Sequence, residues 1–218
     1  MVAAIVISLA LPVAIGAVLF GAAGRSNIPA FWIYLVLVLV LNALGLWLSE
    51  PELVRERLHP GPGERDRLTR IVIAPIVGLH WMIAGADVGW GHWSCFGLPL
   101  LRALGFLGFV AGCSATFWAA RTNRFFSSAV RLQPERGQHL VDSGPYRIVR
   151  HPGYSATILA GLASAVALGS WLSLAPIAIV IALIVWRTLL EERMLREGLE
   201  GYAEYMQRVR CRLFPGLW

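Results

Sequence analysis

Long apolar runs alternate with arginine-rich segments along the chain, and this pattern sets the fold class before any single residue is considered. Runs at about 1–22, 30–49, 71–90, 97–120, 153–169 and 171–192 each approach the roughly 20 residues a helix needs to cross about 30 Å of hydrocarbon. The pattern predicts an all-α integral membrane protein with about six transmembrane helices. Only Gly169, Ser170 and Trp171 separate the last two runs, which predicts a C-terminal helical hairpin. Pro176 inside the last run is tolerable, because neighbouring helices satisfy a carbonyl that proline frees. The first run is followed by small residues at Gly21, Ala22, Ala23 and Gly24, as a signal peptide is, but it has no basic start and exceeds the usual apolar core. A retained first span is therefore expected.

Composition agrees with a bilayer as solvent: 57% of residues are hydrophobic and 15% charged. The 19 basic residues include no lysine, so every one is arginine. Arg55, Arg57, Arg65, Arg67 and Arg70 crowd the stretch 50–70; the stretch 121–154 and the tail after residue 192 are similarly rich. The turn near 23–29 has only Arg25, and 91–96 has none. The positive-inside rule then places both termini and the two long loops in the cytoplasm, and an even number of spans agrees. Exclusive use of arginine points to a GC-rich genome, and the expected location is a bacterial inner membrane. The net charge of +6 flanks apolar spans, so the expected partner is the lipid bilayer with its anionic headgroups, and no nucleic acid. Cys95, Cys113 and Cys211 fall in an outer loop, a span and the tail, which gives no disulfide framework. His80 and His92 have no second ligand at helical spacing and read as satisfied core or interface histidines, so no metal is expected.

Two segments concentrate candidate chemistry, and both lie after residue 120. Residues 1–120 read as a scaffold of four spans, joined by the rigid turn Pro60-Gly61-Pro62-Gly63. Residues 121–218 hold a loop of some thirty residues, the helical hairpin and a tail helix. The loop runs through Asn123, Phe126-Ser127, Gln133 and Gln138-His139-Leu140-Val141 to Gly144-Pro145-Tyr146-Arg147-Ile148-Val149-Arg150-His151-Pro152-Gly153-Tyr154. Loops that long are functional or disordered, and its aromatic content opposes disorder. Convergence on a small polar ligand and amphipathic binding to headgroups both fit those residues. At the end of the last span, Arg187 and Glu191 are four apart and share a helix face. That face is either a neutralised membrane edge or a polar pocket between spans. The tail with Tyr202, Tyr205, Arg208, Arg210, Arg212 and Pro215 predicts an interfacial helix.

The string Gly144 to Tyr154, with Asn123, Phe126-Ser127 and His139-Leu140-Val141 before it, resembles the signature of the isoprenylcysteine carboxyl methyltransferases and their bacterial relatives. Arg187-Thr188 to Glu191-Glu192, followed by Gly201-Tyr202, Tyr205, Val209 and Leu213-Phe214-Pro215, is similar to the C-terminal pattern of that family. The resemblance covers about residues 120 to 215. It implies S-adenosylmethionine as cofactor, entering from the cytosol, and a lipidic or prenylated acceptor entering from the bilayer. It also implies that His139, Leu140, Gly144, Tyr146, His151, Pro152 and Tyr154 line the cofactor pocket, with Glu191 and Glu192 approaching from the last span.

Methyl transfer from a sulfonium is an in-line displacement, so the protein's task is to align acceptor and methyl carbon at about 3 to 3.5 Å in a dry pocket. A carboxylate acceptor needs no base but does need a buried counter-charge, for which Arg187 is the candidate. Glu191, one turn on, would orient it or polarise the cofactor's amino group. An amine acceptor, as in phospholipid N-methylation, would instead use Glu191 as base. Membrane sterol reductases using a nicotinamide cofactor share the Gly-Pro-Tyr-Arg and Arg-His-Pro strings, though the adjacent Glu191-Glu192 pair favours methyl transfer. A non-catalytic protein on the same scaffold is the remaining reading.

Overall fold

The computed structural model describes residues 2–218, so Met1, the first residue of the expected span 1–22, lies outside the described residues. The chain forms helices α1 (Val2–Ala23), α2 (Pro29–Leu48), α3 (Pro51–Leu58), α4 (Arg67–Ala86, prolonged by a π turn Asp87–Gly91), α5 (Pro99–Thr122), α6 (Pro152–Leu168), α7 (Leu174–Gly198) and α8 (Tyr202–Arg208). Proline opens α2, α3, α5 and α6, where its missing N–H would be unpaired anyway and its φ is already helical. Asp66 caps α4, its Oδ1 accepting from the Thr69 amide at 3.4 Å. Gly169, at φ +83°, ends α6 in the left-handed conformation that other residues adopt at a penalty.

Among the described residues five helices are long and apolar enough to cross a membrane: Ile5–Ala23, Pro29–Leu48, Arg67–Gly91, Pro99–Thr122 and Leu174–Gly198. The sixth expected span is present as the apolar helix α6 but has only 17 residues. At 1.5 Å per residue it rises about 26 Å, slightly less than the hydrocarbon thickness. Its N-terminal end starts inside protein, beneath the loop that precedes it. On α5, Leu100, Leu104 and Leu107 form an exposed apolar stripe of the kind that faces lipid. Helix α3 was not legible as a helix: eight charge-rich residues are too few to show a period, yet Leu53 and Glu56 are buried on one side of it.

The most extensive helix pair is α5 with α6, whereas the hairpin partners α6 and α7 touch much less. Small residues explain this. A Cβ at Gly105 would collide with the Ala167 backbone, one at Gly108 would lie 3.0 Å from the Ala163 Cβ, and one at Gly112 would lie 2.7 Å from the Ala160 nitrogen. Backbones approach that closely only where side chains are missing. Helix α7 instead presents Val180 and Ile184 to an apolar cluster shared with α4 and α6, whose margin includes Ile76 and Val77. Within the bundle one polar chain is fully paired. His80 Nδ1 lies 2.9 Å from the Ser173 carbonyl and must donate to it, so Nε2 accepts from Ser164 Oγ at 2.9 Å. The Ser164 oxygen is thereby free to accept from the Tyr34 hydroxyl at 2.9 Å, and Tyr34 accepts from Trp81 Nε1 at 3.2 Å. His80 is thus a satisfied core histidine.

The two ends of the bundle differ in chemistry. At one, buried Asp87 accepts from the Ser94 amide at 2.9 Å and from Ser170 Oγ at 2.5 Å, and Trp90 donates to the Ala22 carbonyl. At the other, the arginine-rich segments meet. The buried Arg131 grips Glu56 of α3 through Nε at 2.9 Å and Nη2 at 2.8 Å, while Ser127 Oγ donates to the same carboxylate at 2.7 Å. The Arg65 amide donates to the Val130 carbonyl at 2.9 Å. Burial pushes the Glu56 carboxyl upward, but the bonds from Arg131 and Ser127 outweigh it and hold the group below its ordinary value of 4.5.

Two outcomes follow from this packing. Gly112→Leu should lower the detergent-solubilised unfolding temperature by several degrees, since forcing side-chain atoms between packed backbones costs about 1–3 kcal/mol; Gly21→Ala, with nothing within 4 Å of its Cβ, should not. Glu56 is depressed in the folded state, so its stabilisation is full above pH 4.5 and disappears as pH falls through the lower folded value. Glu56→Gln should destabilise at neutral pH by about 3 kcal/mol at most, since the buried Arg131 loses the Glu56 charge and keeps only the exposed Glu135 at 2.8 Å, and the gap from wild type should shrink in unfolding scans taken progressively below pH 4.5.

Candidate functional site

The arginine-rich end of the bundle encloses a cavity walled by the loop after α5, the start of α6, the end of α7 and α8. Local chemistry shapes each wall. Asn123 Oδ1 accepts the Phe125 amide at 2.9 Å, turning the chain as it leaves α5. Gln133 Nε2, fully buried, donates to the Phe125 carbonyl at 2.7 Å and closes the loop. Gly144, at φ +54°, starts a short 3₁₀ turn that directs Tyr146 inward, where the Tyr205 hydroxyl donates to its carbonyl at 2.6 Å. The tail then laces beneath α6: the Arg150 amide donates to the Cys211 carbonyl at 3.0 Å, and the His151 amide to the Arg212 carbonyl at 2.9 Å.

His139, Leu140, Tyr146, His151, Pro152, Tyr154 and Glu191 all line this one cavity. Gly144, Arg187 and Glu192 do not. Gly144 packs against Thr122 and serves the turn rather than the wall. Glu192 is held by Arg150 Nε at 2.6 Å and Arg212 Nε at 2.7 Å, with His151 Nε2 at 3.5 Å. Neighbouring residues on a helix point about 100° apart. That angle sends Glu191 to the cavity and Glu192 to the tail, so the expectation that both approach the cofactor pocket is corrected: Glu192 is the buried tie between α7, the loop and the tail.

Arg187 lies one layer behind the wall. Its Nη2 donates to the Ser128 carbonyl at 2.9 Å, its Nε faces the Tyr154 hydroxyl at 3.4 Å, and its Nη1 lies 3.8 Å from Asp66 Oδ2. Arg187 and Glu191 form no direct ion pair among the described residues. The Tyr154 hydroxyl stands between them, accepting from the guanidinium and donating to Glu191 Oε2 at 2.7 Å. Glu191 orients Arg187 through this phenol rather than by contact. Glu191 also has no cationic partner within 4 Å among the described residues, which leaves one uncompensated carboxylate in the cavity wall.

Phe125, Arg131, Arg150, Leu195 and Leu199, which no motif marks as wall residues, line the cavity too, as do Tyr202 and Tyr205 of the C-terminal pattern. The i, i+3 spacing of the two tyrosines is the one signal that puts them on a common face. Burial drives the phenols of Tyr146, Tyr202 and Tyr205 above their ordinary range, so they remain neutral. The Tyr202 hydroxyl is buried without a partner. An orphaned hydroxyl, an unpaired carboxylate and aromatic walls suit a ligand that is cationic and carries a flat ring. A second, apolar cavity of about 330 Å³ lies deeper among the helices. Thr157 and Ile158 of α6 line it, one helical turn below Tyr154.

Comparison with known proteins finds similarity over the part of the chain that contains this cavity. The phospholipid methyltransferase family matches residues 100–200, which take in α5, the cavity loop, α6 and α7. Protein-S-isoprenylcysteine O-methyltransferase B of Arabidopsis thaliana is 30% identical over 150 residues, an alignment covering 66% of this chain and 66% of that relative. The chain therefore spans just under two thirds of that relative's length. With an all-helical membrane fold and both of these similarities, the chain belongs to the isoprenylcysteine carboxyl methyltransferase family, within the broader phospholipid methyltransferases.

Proposed function

We propose that the chain is a membrane methyltransferase that uses S-adenosylmethionine to methylate a lipidic acceptor, with carboxyl O-methylation of an isoprenylcysteine-like substrate as the leading reaction. The observation that carries this reading is the placement of Glu191, an unpaired carboxylate in an aromatic-walled cavity, one phenol away from the buried Arg187. The sulfonium cofactor supplies an activated methyl group when bound. His139, Leu140, Tyr146, His151, Pro152 and Tyr154 would hold it, and Glu191 would offset its positive charge. Arg187 would meet the acceptor's carboxylate through Nη1, which forms no hydrogen bond with the protein. The apolar cavity below Tyr154 would take the acceptor's hydrocarbon. In this reading residues 121–218 carry catalysis, the arginine-rich end faces the cytoplasm, and the membrane is a bacterial inner membrane.

Phospholipid amine N-methylation is the second reading, favoured by the same unpaired Glu191, which is placed to remove a proton from an ammonium. The match to a family described as phospholipid methyltransferase supports this second reading, and the similarity to an isoprenylcysteine O-methyltransferase supports the first.

Calorimetry on the purified protein should show binding of S-adenosylmethionine or its demethylated product; binding of a reduced nicotinamide with no response to the sulfonium ligand would overturn the assignment. His151→Ala should weaken cofactor binding. Arg187→Ala should leave that binding nearly unchanged and reduce turnover about 30- to several-thousand-fold, the range for losing a buried charge partner worth roughly 2–5 kcal/mol. Turnover by Arg187→Ala at the wild-type rate would remove Arg187 from the reaction. The pH profile of Glu191→Gln separates the readings, since a carboxylate acceptor needs no base and an amine acceptor does.

A further inference from the structure

Asp66 lies in the first half of the chain, in the segment between α3 and α4, far in sequence from the cavity loop and α7. Its carboxylate is 93% buried by exposure of 7%, and its two oxygens have different fates. Oδ1 caps α4 through the Thr69 amide. Oδ2 is buried and has no hydrogen-bond partner. It faces Arg187 Nη1 at 3.8 Å, and Arg187 is itself buried, with 5% of its side chain exposed. A buried carboxylate oxygen is stable without a partner only where a positive charge is close. A buried guanidinium with one carbonyl and one long phenol contact is likewise held in place by the nearest negative charge.

We propose that Asp66 is a positioning residue for Arg187. Its charge keeps the guanidinium drawn toward the α3–α4 segment, with Nε on the Tyr154 hydroxyl and Nη1 turned to where the acceptor's polar group arrives. The scaffold half therefore contributes to the reacting geometry, through one residue that touches neither cofactor nor acceptor. The inference rests on the reading that Arg187 serves the acceptor. It is compatible with the cap on α4, because an asparagine at this position retains the capping oxygen and loses only the charge.

The test uses the full-length protein in phospholipid vesicles as wild type, Asp66→Asn, Asp66→Glu, Arg187→Ala and the Asp66→Asn/Arg187→Ala double variant. Methyl transfer is measured from labelled S-adenosylmethionine to an S-farnesylcysteine probe and, separately, to phosphatidylethanolamine in the vesicle. Asp66→Asn should lower kcat/KM at least about tenfold on whichever probe the wild type methylates, with affinity for the demethylated cofactor within about twofold of wild type. Asp66→Glu, which restores the charge, should recover part of the loss. The double variant should be no slower than Arg187→Ala alone, since residues acting as one unit are not additive. Wild-type turnover by Asp66→Asn, or losses that multiply in the double variant, would overturn the proposal. If the wild type methylates neither probe, the acceptor reading fails by itself. The pairing is then decided by thermal unfolding of the same four-way cycle: non-additive midpoints support it, and additive midpoints overturn it.

Discussion

A buried guanidinium has to be met by a carboxylate, and at the arginine-rich end of the bundle this requirement decides which distant segments touch. Arg131 of the loop meets Glu56 of α3, Arg150 of the loop and Arg212 of the tail meet Glu192 of α7, and Arg187 of α7 meets Asp66 before α4. Each tie joins segments remote in sequence. Lipid offers no hydrophobic drive between helices, so close packing and such polar ties hold the assembly together. The cavity is the space left between them.

The ties also separate structural from chemical charge. Most buried ionic groups near the cavity are fully engaged with one another, which makes them rigid walls. Glu191 stands apart because its one strong bond is to a neutral phenol. Among the described residues it is the carboxylate of the cavity wall that no cation within 4 Å neutralises.

Much of this was legible in the sequence. The six apolar runs correspond to six helices with ends within a few residues, because length and hydrophobicity alone specify a helix in lipid. The loop residues Tyr146, His151 and Tyr154 lie on one cavity with Glu191 of α7, since they occur in a segment too polar to be plain membrane, whereas Arg187 and Glu192 of the same α7 motif lie behind it. What the sequence could not convey was long-range pairing. Nothing local marks Glu56 as the partner of Arg131 across 75 positions, or Asp66 as the neighbour of Arg187. Nor did the hairpin predict which helices pack most closely; that followed from glycines on α5 meeting alanines on α6.

The doublet Glu191-Glu192 looks in the sequence like a single acidic motif, but helical rotation gives its two members separate environments. In the proposed reading, exchanging the first acid would change the chemistry while keeping the architecture, and exchanging the second would leave Arg150 and Arg212 without their common carboxylate. A single-residue deletion in the turn of α7 before Glu191 would turn Glu192, the wrong carboxylate, to the cavity without altering the composition of the motif at all.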